Sequence, residues 1–204
     1  MKIFILICLV ILWTFTPVEA VLIEKGASVA VMDLGVYKGT SDPDINLLNA
    51  EKASSEYVIQ RLAATNNFEV KDRTLILNVL EKFNMLGLID PDTAKKIGEI
   101  LDIRYIVYGN VVDVSVAVGK AGVVVNTVKA HIVIRIMDID TGKILMAAKG
   151  EGESASAFIG DSEKNFFFIG TTKVSQTAVH NALQKAAFQA VDVLNERVFR
   201  VKNR

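Results

Sequence analysis

Gly150, Gly152 and Ala155, in the stretch GEGESA, match the G-x-G-x-x-A spacing by which a tight glycine turn admits a pyrophosphate to a helix N-terminus. That chemistry needs a strand to turn into a helix at the motif. Here the motif lies inside an extended run with no helical periodicity for about 20 residues, so phosphate binding is not expected. Asp42, Asp44 and Asn46, in SDPDINLL, imitate the opening of a calcium loop. The glycine that such a loop needs after its third ligand is Leu47, and its terminal glutamate is Ala53, so these side chains are expected to cap a helix instead. Asp138 and Asp140, in DIDTGK, could begin a metal site, but a glycine just ahead of a new strand is what a hairpin turn demands.

The two histidines, His131 and His180, have no cysteine or histidine partner at ligand spacing, so no metal is expected. A polar-face position suits both better. Cys8 is the single cysteine, and no G-x-S-x-G elbow occurs, which disfavours cysteine and serine nucleophiles. No catalytic, metal-binding or cofactor-binding residue is therefore assigned, and no cofactor is expected.

The elements that must hold these residues begin with MKIFILICLVILWTFTPVEA. Lys2, the apolar run Ile3–Trp13, Pro17 and the small-residue end Val18-Glu19-Ala20 compose a secretory signal peptide over residues 1–20. The run is shorter than the roughly 20 apolar residues of a spanning helix, so cleavage after Ala20 is expected rather than anchoring. Cleavage would remove Cys8 and with it any disulfide. Bulky Ile7 before Cys8 argues against lipid attachment there, so an unlipidated mature chain is expected.

Residues 21–204 are read as a single domain. The chain has 204 residues, 51% of them hydrophobic, with 23 basic and 23 acidic side chains spread along it. That is enough apolar content for a sizeable core, and the balanced charge leaves no footprint for nucleic acid. Ala27–Gly35 reads as a buried strand, Ile45 to about Ala64 as an amphipathic helix with Leu47, Ala50, Tyr57, Val58 and Leu62 on one face, and Phe68–Asp72 as a second strand. These make a parallel strand, helix, strand unit. A helix over TLILNVLEKFNML would bury Ile76, Val79, Leu80, Phe83 and Leu86; another, started by Asp90-Pro91, would bury Ala94, Ile97 and Leu101. From Ile103 to about Phe158 the period becomes two, with turns at Gly119–Gly122 and Asp138–Lys143, predicting three long antiparallel strands. A last helix from about Thr177 to Val198 carries the stripe Val179, Leu183, Ala186, Ala190, Leu194. The expected fold class is α+β: a mixed β-sheet, with an N-terminal βαβ unit followed by an antiparallel meander, helices packed on it, and a C-terminal helix.

VAVMDLG near the mature start, NFEVKDR after the first helix, KKIGEILDIRYIVYGNV, and VIRIMDIDTGKIL resemble, in that order, the curli-secretion (CsgG) family. The resemblance spans roughly Ser28 to Leu194. It implies a non-enzymatic component of the bacterial envelope, working in curli assembly, transport and secretion. The best-known members form outer-membrane rings that pass protein subunits; others are soluble or lipid-anchored accessories. A homo-oligomer is implied, with exported protein subunits or an envelope protein as partners, at the outer membrane or in the periplasm. This chain departs from the channel members in lacking the lipid-attachment cysteine after the signal peptide, where it reads Val21-Leu22-Ile23, and in having shorter hairpins.

Two segments, 111–130 and 152–175, stand where the channel members carry membrane hairpins. The residues that would contact lipid or a partner are Val112, Val114, Val116, Val118, Val124 and Val128 in the first, and Phe158, Phe166, Phe167 and Phe168 in the second. The alternation of the valines with Asp113, Ser115 and Ala117 fits a lipid-facing strand and also a sheet covered by helices. Missing aromatics and the continuing Ile132, Ile134 and Ile136 favour the covered sheet. In the second segment the apolar residues bunch in FFFI, and Glu151, Glu153 and Lys173 would be costly in lipid. Two readings stay open there: an apolar-tipped insertion that meets a partner, or a short barrel hairpin formed only in a ring. For the whole chain the choice is likewise an assembly or transport component, or a soluble periplasmic accessory module that docks on an envelope partner.

Overall fold

The computed structural model describes residues 23–36, 50–83, 91–118, 126–156, 166–169 and 172–200. Strand β1 (Ala27–Val31) runs through the middle of the core: Val29 and Val31 point into one apolar cluster, Ala30 and Met32 into another on the opposite face. This two-sided burial is why the run reads as continuously apolar. After the two-residue β2 (Gly35–Val36) come α1 (Ala50–Thr65), β3 (Phe68–Val70), α2 (Arg73–Lys82) and α3 (Pro91–Leu101). The three long strands β4 (Tyr105–Val118), β5 (Asn126–Asp138) and β6 (Ile144–Ser156) follow, then the short β7 (Phe166–Ile169) and β8 (Thr172–Ser175), and finally α4 (Gln176–Arg200).

Among the described residues, the main sheet has the order β3-β1-β4-β5-β6, with β2 also paired to β4. β1 is parallel to both β3 and β4, β2 is parallel to β4, and β5 runs antiparallel to both β4 and β6. The expected mixed sheet, with a parallel βαβ start and a three-stranded meander, is the one observed. α1 and α4 cover one face, burying Val58, Leu62, Leu183, Ala186, Ala190 and Leu194 against Val107, Ile132, Ile134 and Ile136. α2 and α3 cover part of the other face, with Ile76, Leu80, Ala94 and Ile97 packed on Ile106, Met137 and Ile139.

Several local details differ from the sequence expectation. The strand after α1 stops at Val70 because Asp72 turns to cap α2, its carboxylate accepting from the Thr74 N–H at 2.6 Å. Phe83 was expected on the buried face of α2 but is 46% exposed, because the helix ends at Lys82 and Phe83 leaves the helical phase. In α1 the buried row includes Ser54 and Ser55, which apolar periodicity could not flag. Ser55 belongs there because its hydroxyl donates to the Glu51 carbonyl (2.8 Å) and accepts from the Leu34 N–H (2.9 Å), fixing the chain as it leaves β1. α4 begins at Gln176, where the Ser175 hydroxyl accepts from the Ala178 N–H as an N-cap. The signal-peptide stretch, Leu47, Leu86, Asp90 and the turn Gly119–Gly122 lie outside the described residues.

Candidate interaction surface

The G-x-G of GEGESA sits in the middle of β6, pressed against α4. A Cβ on Gly150 would fall 1.9 Å from the Ala186 carbonyl oxygen, and one on Gly152 would fall 2.0 Å from that of Ala182. Two residues along a strand advance about 6.7 Å and four along a helix about 6 Å, so glycines at i and i+2 keep step with a helical row spaced by four. Ala182, Ala186 and Ala190 are that row, each fully buried. The spacing thus serves backbone-to-backbone packing of helix on strand.

The other chemistry-bearing residues also resolve into structure. Asp138 is buried at the end of β5, and its carboxylate accepts from the Thr141 N–H (2.9 Å) and hydroxyl (3.0 Å), closing the turn that Gly142 completes at φ 65. Burial works to raise this carboxyl, but the two Thr141 hydrogen bonds and the Arg104 guanidinium outweigh it and hold it below the usual aspartate range. His180 lies between helices, its Nδ1 3.3 Å from the Tyr57 hydroxyl. His131 stands on the outward side of β5, with Asp113 of β4 at 3.8 Å and Glu151 of β6 at 3.9 Å on its two sides. On the same side Lys129 pairs across the strands with Glu153 at 2.7 Å, and Lys149 pairs along β6 with Glu151 at 2.6 Å. Among the described residues no group of three or more His, Cys, Asp or Glu is placed to hold a metal ion. Asp42, Asp44 and Asn46 lie outside the described residues.

The first hairpin segment is the far half of the β4–β5 ladder, continuous with the main sheet. Val114 and Val128 are buried in the cluster under α1 and α4, and Val116 packs against it. Val112 does not share their face: the register shifts between Val111, opposite Ile132, and Asp113, opposite His131, leaving Val112 as the extra residue of a bulge. The side chain of Val118, and all of Val124, lie outside the described residues. In the second segment, Phe166–Ile169 pairs with Thr172–Ser175, so FFFI folds back on TKVS in a two-stranded sheet separate from β6. This small hairpin is tied to β6 by the Ser175 N–H, which donates to the Ser156 hydroxyl at 2.9 Å. Phe158 and the side chains of Phe166, Phe167 and Phe168 lie outside the described residues.

Two further features carried no sequence signal. Arg73, at the start of α2, bridges Asp33 beyond β1 and Glu56 of α1, joining three elements where the parallel strands end. Burial opposes its charge, and Glu56 and Asp33 together more than offset that, raising the guanidinium above its ordinary value. A hollow of about 310 Å³ opens between α3 and the β5–β6 turn, lined by Ser28, Lys95, Glu99, Asp102, Arg104 and Asp140. It sits where parallel β1 and β4 begin, opposite to the strand ends at which open parallel sheets take ligands. Of its two cations, Lys95 and Arg104, the latter is engaged by Asp138 and Asp140, both at 3.4 Å.

Fold and surface together define a small α+β domain whose unusual residues serve packing and pairing. The chain belongs to the CsgG family, described as the curli production assembly/transport component, whose pattern matches residues 35–203. No curated protein matches the chain in sequence. Among solved structures it is similar to CT253 from Chlamydia trachomatis, at 12% identity and a TM-score of 0.54, over 86% of this chain and 99% of that one. It is also similar to the C-terminal domain of LpoB from Salmonella enterica (15% identity, TM-score 0.47, covering 65% and 87%) and to the PelC dodecamer from Paraburkholderia phytofirmans (13%, 0.43, 87% and 92%). The likeness to CT253 is one of fold.

Proposed function

We propose that this protein is an exported accessory of the bacterial envelope that works in assembly or transport by docking on protein partners, without a reaction of its own. Membership of the CsgG family over residues 35–203 carries this reading. The geometry supports it: Gly150, Gly152, Asp138 and His180, which could have marked chemistry, are engaged in packing or turn formation. The side chains proposed for contact are Val112 at the β4 bulge and the aromatic residues Phe158, Phe166, Phe167 and Phe168 of the second hairpin segment.

A finer reading is a homo-oligomeric ring whose subunits each lend hairpins 111–130 and 152–175 to the outer membrane. Burial of Val114 and Val128 in the domain core favours docking over that reading, because a lipid-facing role would require them to leave the helices that cover them. Val112→Glu and Phe167→Glu, compared with the unaltered chain by fractionation after export, test both. Docking expects all three chains in the soluble periplasmic fraction, with the variants losing a crosslinked protein partner. A ring expects the unaltered chain in detergent-dependent oligomers that the variants fail to form. A chain that is never exported, or variants that keep every crosslink, would sink the proposal.

A further inference from the structure

β6 is 13 residues long and stands at the end of the main sheet. A long edge strand is a template for a strand from another molecule, and this one is an inviting template, since Gly150 and Gly152 leave its inner side flat. Three of its outward backbone groups are nonetheless engaged. The Lys185 ammonium donates to the Glu153 carbonyl at 2.9 Å, the Glu151 N–H donates to the Gln189 side-chain oxygen at 2.5 Å, and the Arg197 guanidinium donates to the Ala147 carbonyl at 3.3 Å.

The three α4 residues belong to one row: 185, 189, 193 and 197 are spaced by four, immediately beside the row 182, 186 and 190 that packs on the glycines. From Ala147 to Glu153 the strand advances about 20 Å, and from Arg197 back to Lys185 the helix advances about 18 Å, so one row keeps pace with the edge. The close approach allowed by Gly150 and Gly152 brings these side chains within reach of it. The intervening Val193 packs against the core, holding the row in place.

We propose that Lys185, Gln189 and Arg197 close the edge of β6 against strand addition by a second copy of this chain. Two copies meeting at β6 would have to displace all three side chains before an inter-chain ladder could form across residues 147–153. Self-association through this edge is thereby blocked in the native fold, and any contact between copies must use another surface.

The test uses the full chain recovered after export, with Lys185, Gln189 and Arg197 all changed to alanine, compared by analytical ultracentrifugation across a concentration series. The variant is expected to reach a larger mass than the unaltered chain at equal concentration. Adding Glu151→Pro, which deletes an outward N–H, is expected to return it to the original mass. A folded triple variant that keeps the original mass overturns the proposal, as does a mass increase that Glu151→Pro leaves intact. Should the triple variant not fold, Gln189→Ala alone provides the reading: hydrogen exchange at the Glu151 amide is expected to quicken about tenfold at unchanged global stability. An unchanged rate there overturns the proposal equally.

Discussion

The carbonyl oxygen of Ala186 occupies the place where Gly150 would have to carry a Cβ, 1.9 Å away. Backbone meets backbone at this point, so neither side can move aside as a flexible side chain would. Gly150→Ala should therefore destabilise the fold by about 3 kcal/mol, at the upper end of what overpacking costs. Gly26→Ala is the control: open space surrounds it, but its φ of 85 is unfavourable for alanine, and about 1 kcal/mol is expected. Chemical denaturation of both variants checks the order; equal losses would argue against the close packing.

Asp138 should make stability depend on acid pH. Its folded-state pKa is depressed, so the unfolded chain binds the proton more readily. The contribution is fully present above the ordinary aspartate value of about 3.9 and is lost as pH falls through the lower folded value. Asp138→Asn keeps an acceptor for Thr141 but drops the charge. Urea denaturation at neutral pH and near pH 3 should show the gap between the two proteins narrowing in acid, and a gap that widens would contradict the assignment.

Arg73 ties α2 to Asp33 and Glu56, and its side chain is 17% exposed while both carboxylates are about half exposed. Losing it leaves two acids facing each other with solvent nearby, so Arg73→Ala should cost about 1 to 2 kcal/mol, below a fully buried pair. Arg73→Lys should recover only part of that, since one ammonium cannot match a planar fork to two partners. Thermal denaturation of both variants reads the difference.

Val114 and Val128 lie in the core, so Val114→Ala and Val128→Ala should each cost about 2 kcal/mol. Val112→Ala, at the bulge, should cost much less. Denaturant midpoints for the three variants check this, and a uniform small loss would mean that the far half of the hairpin is not packed as described.

Periodicity carried the fold class far. Continuous apolar runs marked the two-sided burial of β1, and period two marked β4, β5 and β6 because, away from the ends that α2 and α3 cover, one side meets α1 and α4 while the other faces outward. The stripe Val179, Leu183, Ala186, Ala190, Leu194 proved buried throughout. Less legible were residues whose role depends on a distant partner. Ser55 looks like a surface serine until Leu34, 21 residues away, needs an acceptor. Val112 looks like one valine of an alternating row, because a bulge is a property of two strands and leaves no mark in one of them.

For GEGESA the division is clearest. The sequence alone determined that Gly150 and Gly152 fall in an extended run without a following helix, which removed the phosphate reading on local grounds. It also placed alanines at 186 and 190 in the buried stripe of a later helix. Only the tertiary structure decided that the two patterns meet, since a strand step of two and a helix step of four are commensurate but do not name each other. The same contact decided which α4 residues flank the strand, turning Lys185, Gln189 and Arg197 from ordinary solvated side chains into partners of the β6 edge.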